Sequence, residues 1–302
     1  MNPSESELTY FAYAQPARQS EPRASLPPVP DLLCNRYRIE RLLGVGGMGA
    51  VFRARDLLRE QLGDPAPDVA IKTLSHQCAE YPDAPHLLHG EFVRTLRLRH
   101  PHVVRVLHFD IDPGSEHPFI VMELLSGPTL DQLLPRLPSG LPWPDIQAIG
   151  GAMLSAVAYC HRLGTLHGDI KPGNILVGDG GTHLFDFGLG RNPEERLPQI
   201  DPERFQAWTP RYAAPEIVRG EPLGPAADVY SLGQVLLELC GARRGDKPLG
   251  RRPAPMSPRV WRLLKQAIAP RPEARCSAQE LYEAWKAPGR PIPFGVLRAW
   301  LS

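Results

Sequence analysis

The chain has no long apolar run and no paired cysteines. Nowhere do about 18 apolar residues follow one another, so no segment is long enough to cross a bilayer as a helix. The five cysteines stand singly, in odd number and without C-x-x-C spacing, which is typical of reduced thiols in a cytosolic protein. Glu5 and Glu7 near the start do not fit a secretory signal. We therefore expect a cytoplasmic protein without a membrane span.

A strong charge of either sign is also missing. The net charge of +1 gives no overall field that would favour nucleic acid as a partner. The 35 prolines are numerous but not periodic, which excludes a collagen-like chain. A chain of 302 residues can bury a large core and is expected to divide into two lobes or domains.

The two ends of the chain differ from the middle. Residues 1–35 are rich in Pro, Ser, Glu and Arg without sustained periodicity, which predicts a disordered N-terminal tail. Residues 287–302 form a C-terminal extension, in which apolar residues from Val296 to Leu301 have a spacing that suits a short amphipathic helix.

The side chains most suited to catalysis are concentrated in residues 166–188, which read L-H-G-D-I-K-P-G-N-I-L-V-G-D-G-G-T-H-L-F-D-F-G. A strand, a Gly-rich turn and a second strand would bring its polar groups into one pocket. Asp186 and Asn174 offer hard oxygen ligands suited to Mg²⁺. Asp169 can accept a hydroxyl proton, and Lys171 beside it can neutralise a phosphate. This combination of carboxylates, an amide and an ammonium group is typical of enzymes that transfer phosphoryl groups, in which catalysis is mostly positioning and electrostatics.

A glycine-rich hairpin is predicted earlier in the chain. Residues 44–49 read G-V-G-G-M-G between strand-like residues, and glycines there would let backbone amides approach a phosphate. A dinucleotide-binding domain would open a helix at this point, whereas this chain continues as a second strand. The next strand ends in Lys72, after a polar insertion at residues 57–68. A predicted helix from Glu91 to Arg99 ends before His100-Pro101.

Together these motifs resemble those of the eukaryotic-like protein Ser/Thr kinases. The pattern H-x-D-x-K-x-x-N is followed by D-F-G, with Asp186 twelve residues after Asn174. The sequence R-I-E-R-L-L-G-x-G-G-M-G particularly resembles that of bacterial members of this kinase family. The resemblance implies an α+β, bilobal fold, with a small β-rich N-lobe at residues 36–125 that carries one regulatory helix, and a larger helical C-lobe at residues 126–286.

The resemblance also implies a catalytic set. Asp169 would orient and deprotonate the acceptor hydroxyl, and Lys171 would balance charge on the γ-phosphate. Lys72, braced by Glu91, would hold the α- and β-phosphates. The implied catalytic residues are Asp169, Lys171, Asn174, Lys72 and Glu91, and the implied metal ligands are Asn174 and Asp186. The cofactors would be ATP and Mg²⁺, with Mn²⁺ as an alternative metal.

The nucleotide pocket is implied in the same way. Met122 would lie at the back of the pocket, and the Glu123 carbonyl and Leu125 amide would bind the adenine base. The full set of implied nucleotide-binding residues is Leu43, Gly44, Val45, Gly46, Gly47, Met48, Gly49, Val51, Ala70, Lys72, Glu123, Leu125 and Leu176.

Residues 209–216 resemble the part of a kinase that binds a protein substrate through its Ser or Thr. In the family, the residue equivalent to Thr209 bonds the catalytic Asp and Lys of Ser/Thr-specific enzymes. The A-P-E motif ends in Glu216, which is expected to pair with Arg275.

Three departures from the family pattern follow. The usual H-R-D is His167-Gly168-Asp169, so the arginine that receives a phosphate from the activation segment is missing. Residues 188–208 contain no Ser, Thr or Tyr. Both losses predict a kinase that activation-segment phosphorylation does not switch. Thr95 stands at a position that is usually apolar in the family, and its hydroxyl is expected to pack less well. The helix that carries Glu91 should then be only marginally stable in its active position.

Two features leave alternatives open. Residues 243–252 are basic and predict either a solvated loop or a docking site for an acidic partner. The missing arginine and Thr95 would also suit a pseudokinase scaffold, although the intact catalytic set opposes it. A small-molecule phosphotransferase shares the H-G-D motif but lacks D-F-G and the motifs at residues 209–216 and 228–233.

Overall fold

The computed structural model describes residues 29–46, 49–74, 83–137, 141–190, 210–241 and 252–286. The predictions for Gly47, Met48 and Thr209, for the activation segment from residue 191, for residues 243–251 and for most of both ends therefore fall outside the described residues.

An antiparallel sheet of six strands forms the first lobe, in the order β1-β2-β3-β4-β6-β5. Strand β4 lies in the middle and pairs with β3 on one side and β6 on the other. The strands are β1 (Leu32–Leu33), β2 (Tyr37–Gly46), β3 (Gly49–Asp56), β4 (Asp68–Leu74), β5 (Val106–Ile111) and β6 (Pro118–Glu123). Apolar clusters cover both faces of this sheet, so its central strands are buried on both sides.

The sequence predicted a tail over residues 1–35, but the folded part of the chain already includes β1 (Leu32–Leu33). Strand β1 pairs with β2, and Leu33 is fully buried in the apolar cluster on one face of the sheet. A two-residue strand has too little periodicity to stand out in a Pro-rich segment. Helix α1 (Leu57–Gln61) lies in the predicted polar insertion, and its N-terminal amides are capped by the Asp56 carboxylate.

One long helix, α2 (Ala84–Leu96), packs against β5 and β6. The sequence predicted that this helix starts at Glu91, but it begins seven residues earlier. Pro85 lies in its first turn, where proline does not break a helix. It ends three residues before the predicted end at Arg99.

The second lobe is mainly helical and encloses the largest apolar core. Its helices are α3 (Leu130–Leu133), α4 (Trp143–Arg162), α5 (Pro215–Val218), α6 (Pro225–Leu239), α7 (Pro258–Ala267) and α8 (Ala278–Trp285). A hairpin of β7 (Ile175–Gly178) and β8 (Gly181–Leu184) faces the first lobe, since Leu176 packs in the cluster beneath the sheet. The predicted bilobal α+β fold is confirmed.

Of the helices that the structure describes, none has both the length and the apolar character needed to cross a bilayer.

Candidate active site

Lys72 lies at the centre of the site, between two carboxylates from different lobes. Its Nζ donates to both Glu91 oxygens at 2.7 Å and to Asp186 Oδ1 at 2.7 Å. Strand β4 supplies the lysine, α2 the glutamate and the segment after β8 the aspartate. Lys72 and Glu91 are buried, whereas 32% of the Asp186 side chain is exposed toward the cleft.

The charges in this group control one another. Burial would raise the pKa of Asp186, but the charge of Lys72 outweighs it and lowers the pKa to about 2. Burial lowers the pKa of Lys72, and Asp186 and Glu91 more than compensate, so that the pKa of the lysine is raised. Lys72 therefore stays positive and Asp186 negative at neutral pH, as a clamp for a phosphate and a metal requires.

The loop of residues 167–174, here termed the catalytic loop, places Asp169, Lys171 and Asn174 on the second lobe. Lys171 Nζ lies 2.6 Å from Asp169 Oδ2. Asn174 Nδ2 donates to the Asp169 carbonyl at 2.8 Å and to its carboxylate at 3.2 Å. Burial raises the pKa of Asp169, although Lys171 opposes the shift. The carboxylate is thus held by two neighbours, and its raised pKa makes it a stronger proton acceptor than a free aspartate.

The donor atoms fit a Mg²⁺ ion that is bound together with phosphates. Among the described residues, no three acidic, His or Cys side chains are grouped to enclose a metal. Mg²⁺ is usually held by one or two carboxylates plus substrate phosphates, not by an all-protein cage. Asp186 supplies a carboxylate, and since the Asn174 nitrogen is committed to Asp169, its amide oxygen is the remaining donor. Asp186 has a left-handed backbone with φ of 68°, a strained conformation common at functional sites.

A cleft of about 790 Å³ connects these groups with the glycine hairpin. From the predicted set it is lined by Gly44, Gly46, Gly49, Val51, Lys72, Glu91, Asp169, Lys171, Asn174 and Asp186. The hairpin passes very close to β4, because a Cβ atom on Gly49 would lie 1.9 Å from the Thr73 carbonyl oxygen. Only glycine fits there, so the approach of β3 to β4 depends on it.

Among the described residues, the other members of the predicted nucleotide set are not in the lining of the cleft. Leu43, Ala70 and Leu176 are buried in one apolar cluster with Val51, and Leu125 packs against that cluster. Val45 belongs to β2. Glu123 ends β6, and its carboxylate accepts from the Arg105 backbone amide at 2.7 Å.

Sequence reasoning missed the role of Asp228, which supports the catalytic loop from α6. Its carboxylate accepts from the backbone amides of His167 and Gly168, both at 2.8 Å, and bonds the His161 ring. His167 in turn donates to the Phe185 carbonyl at 3.0 Å, and its ring lies 4.6 Å from that of Phe187. The sequence signal was an acidic residue on the apolar face of a helix, where an isolated charge would be costly.

A second ion pair fixes Glu216, the last residue of the A-P-E motif. Arg275 forms two hydrogen bonds to Glu216, at 2.6 and 2.7 Å, with both side chains buried. The predicted pair is therefore present, and it ties α5 to the loop before α8.

A family model described as protein kinase domain matches residues 37–285. The chain belongs to the protein kinase family. It is similar to serine/threonine-protein kinase pkn3 of Myxococcus xanthus, with 30% identity over 280 residues, or 82% of this chain and 49% of that protein. Identity to serine/threonine-protein kinase PkaA of Streptomyces coelicolor is 32% over 275 residues, again 82% of this chain and 49% of that protein.

Serine/threonine-protein kinase PknB of Mycobacterium tuberculosis is 32% identical over 228 residues, which cover 73% of this chain and 35% of that protein. The chain thus spans about half, or less, of the length of these kinases.

Two departures from the kinase pattern have a visible structural basis. Gly168 has φ of +82°, and a Cβ atom there would lie 2.8 Å from the Leu189 carbonyl oxygen. Thr95 is buried in the cleft wall, but its hydroxyl donates to the Glu91 carbonyl at 2.9 Å. The expected polar cost at this kinase position is therefore offset by a hydrogen bond, while the ion pair of Lys72 and Glu91 is formed.

Proposed function

We propose that this chain is an ATP- and Mg²⁺-dependent protein kinase that transfers the γ-phosphate to Ser or Thr hydroxyls of protein substrates. The observation that carries the proposal is the position of Lys72, which bonds Glu91 and Asp186 across the cleft from Asp169 and Lys171. The kinase names of the relatives support the same reaction.

On the acceptor side, Asp169 orients the substrate hydroxyl and takes its proton as the phosphoryl group is transferred. Lys171, 2.6 Å from Asp169, stabilises the negative charge that shifts from the γ-phosphate to the bridging oxygen. Thr209, which lies outside the described residues, is proposed to contact both groups and to select Ser or Thr.

On the nucleotide side, Lys72 holds the α- and β-phosphates, and Glu91 keeps the lysine in position. Asp186 and Asn174 are the proposed ligands of Mg²⁺, with Mn²⁺ as an alternative. A bound metal would neutralise charge on the phosphates. Val51 and Ala70 from the first lobe and Leu176 from the second would enclose the adenine, and the Glu123 carbonyl and Leu125 amide would bind its edge.

We further propose that activation-segment phosphorylation does not switch this kinase of the H-G-D type. Gly168 cannot bind a phosphate as an arginine would, and residues 188–208 contain no hydroxyl acceptor. Mass spectrometry of active protein should find no phosphosite in that segment. A phosphosite there whose removal lowers activity would contradict the proposal.

The proposed setting is the cytoplasm, with an acidic docking partner at residues 243–252. In that range only Arg252 is described, and it is exposed.

Incubation with γ-labelled ATP and a generic protein substrate tests the function. We expect labelled phosphoserine or phosphothreonine from the native chain, and a loss of about 10²-fold or more in Asp169→Asn. Nucleotide binding without transfer would favour the pseudokinase scaffold. Transfer to a small-molecule hydroxyl in place of protein would favour the phosphotransferase.

A further inference from the structure

Positive charge is concentrated in the last third of the second lobe. Residues 252–271 carry five basic residues and no acidic residue, namely Arg252, Arg259, Arg262, Lys265 and Arg271. Subtracting these five from the chain's net charge of +1 leaves −4 for the rest of the chain. The small net charge of the whole chain therefore conceals a strongly basic segment at residues 252–271, which follows the basic residues 243–252.

Helix α7 (Pro258–Ala267) presents three of these charges on one face. Arg259, Arg262 and Lys265 follow one another at intervals of three residues and are all exposed. Residues separated by three positions lie side by side on a helix, so the cations form a stripe along its outer face. Val260 and Leu264, on the opposite face, are buried in the core of the lobe.

The stripe adds little to the stability of the helix that carries it. Arg259 is the second residue of α7, where the helix dipole disfavours a cation, whereas Lys265 lies in the last turn, where the dipole favours one. Neighbouring like charges repel, at a cost of a few tenths of a kcal/mol per pair. Among the ion pairs between described residues, none includes a side chain of the stripe. The fold thus gives no reason for Arg259 or Arg262, and the helix dipole gives only a weak one for Lys265.

The chemistry of this face favours an acidic polypeptide over other anions. Arginine forks match carboxylates with paired hydrogen bonds. Within the described part of this region, no large apolar side chain is exposed to insert into a membrane, and Trp261 is partly buried against the core and not displayed for base stacking.

We propose that the exposed face of α7 formed by Arg259, Arg262 and Lys265 docks an acidic segment of a protein substrate or regulator. Docking occurs away from the cleft and concentrates the partner near the kinase. It requires no phosphoryl transfer, so it can be measured even if the proposed reaction is wrong.

Fluorescence anisotropy with a labelled oligoglutamate peptide tests the proposal on the full chain. The variant R259Q/R262Q/K265Q removes the stripe. A matched control, R99Q/R105Q/R162Q, removes three exposed charges elsewhere. We expect the native chain and the control to bind the peptide about equally, and the stripe variant to bind about 10-fold more weakly, with binding that falls as ionic strength rises.

Asp169→Asn should bind the peptide like the native chain, which separates docking from catalysis. Equal affinity in the stripe variant and the native chain would overturn the proposal. Tighter binding of a phosphatidylserine vesicle or a single-stranded oligonucleotide than of the peptide, at the same ionic strength, would also overturn it.

Discussion

Among the departures from the kinase pattern, the presence of Gly168 in place of arginine has the clearest physical consequence. Its left-handed backbone lets its amide and that of His167 reach the Asp228 carboxylate. A non-glycine residue in this conformation costs about 1–2 kcal/mol, and glycine adopts it without that cost. The catalytic loop therefore keeps its shape without the phosphate that an arginine would bind.

Substituting Gly168 should lower both stability and turnover. In Gly168→Ala the backbone strain adds to a 2.8 Å contact with the Leu189 carbonyl oxygen. We expect a loss of about 2 kcal/mol or more in the free energy of unfolding, measured in urea, together with a lower kcat.

Gly63→Ala is the matched control for that substitution. Gly63 has φ of +76°, but a Cβ atom there would meet no other atom within 4 Å, so only the backbone strain remains. A Gly168→Arg variant that is more stable and more active than the native chain would contradict this explanation, because it would show that the arginine is merely absent and not excluded.

Thr95 tests how firmly helix α2 is held. We expect Thr95→Leu to raise basal activity, up to about 5-fold if it adds 1 kcal/mol of packing in the active position. Steady-state kinetics with a saturating protein substrate would measure it. Thr95→Val, which removes the hydroxyl bond to Glu91 without extending the side chain, separates packing from hydrogen bonding. Unchanged or lower activity in Thr95→Leu would count against a marginally stable helix.

At the scale of elements, Trp285 forms a close contact between helix α8 and helix α4. Trp285 is buried, and its ring nitrogen donates to the Gln147 carbonyl at 2.9 Å. A Cβ atom on Gly150 would lie 2.4 Å from the Trp285 ring, whereas one on Gly151 would lie at 3.6 Å. The two adjacent glycines therefore have different roles in the same helix.

Alanine substitution should separate these two glycines. Gly150→Ala is expected to destabilise the chain by about 1–3 kcal/mol through overpacking. Gly151→Ala should stabilise it by roughly 0.5–1 kcal/mol, because alanine favours the helix. Urea unfolding of both variants measures the difference. If both were stabilising, the close packing of α8 on α4 would be wrong.

The elements also show what the sequence could predict. The meeting of Lys72, Asp169, Asn174 and Asp186 in one cleft was predictable, because their motifs are short and each residue type has a distinct chemistry. The contact of Asp228 with the catalytic loop was not, because it joins residues about 60 positions apart and depends on how α6 packs. Strand β1 gained its structure from pairing with β2, which local propensity does not reveal.

At the scale of the whole molecule, buried carboxylates link stability to pH. Burial would raise the pKa of Asp228, but His161 and the loop amides outweigh it and lower the pKa below 3.8. A lowered pKa means that the native state favours the ionised form. This contribution is complete above the pKa of the unfolded chain and is lost as pH falls through the folded value.

Asp228→Asn should therefore destabilise the chain by about 1–3 kcal/mol at neutral pH, because a buried amide is left against an N–H donor. The difference from the native chain should shrink as the pH is lowered below 3.8. Urea unfolding across this pH range measures it, with Glu283→Gln as an exposed control. A difference that is constant with pH would show that the charge of Asp228 is not responsible.

The two lobes meet where Lys72 from the sheet bonds Asp186 from the segment after β8. We propose that these groups converge on one magnesium–triphosphate. Calorimetric titration with ATP, with and without Mg²⁺, tests it most directly. We predict that the native chain binds ATP more tightly with Mg²⁺, and that Asp186→Asn abolishes this gain. Affinity that depends neither on Mg²⁺ nor on Asp186 would contradict the claim.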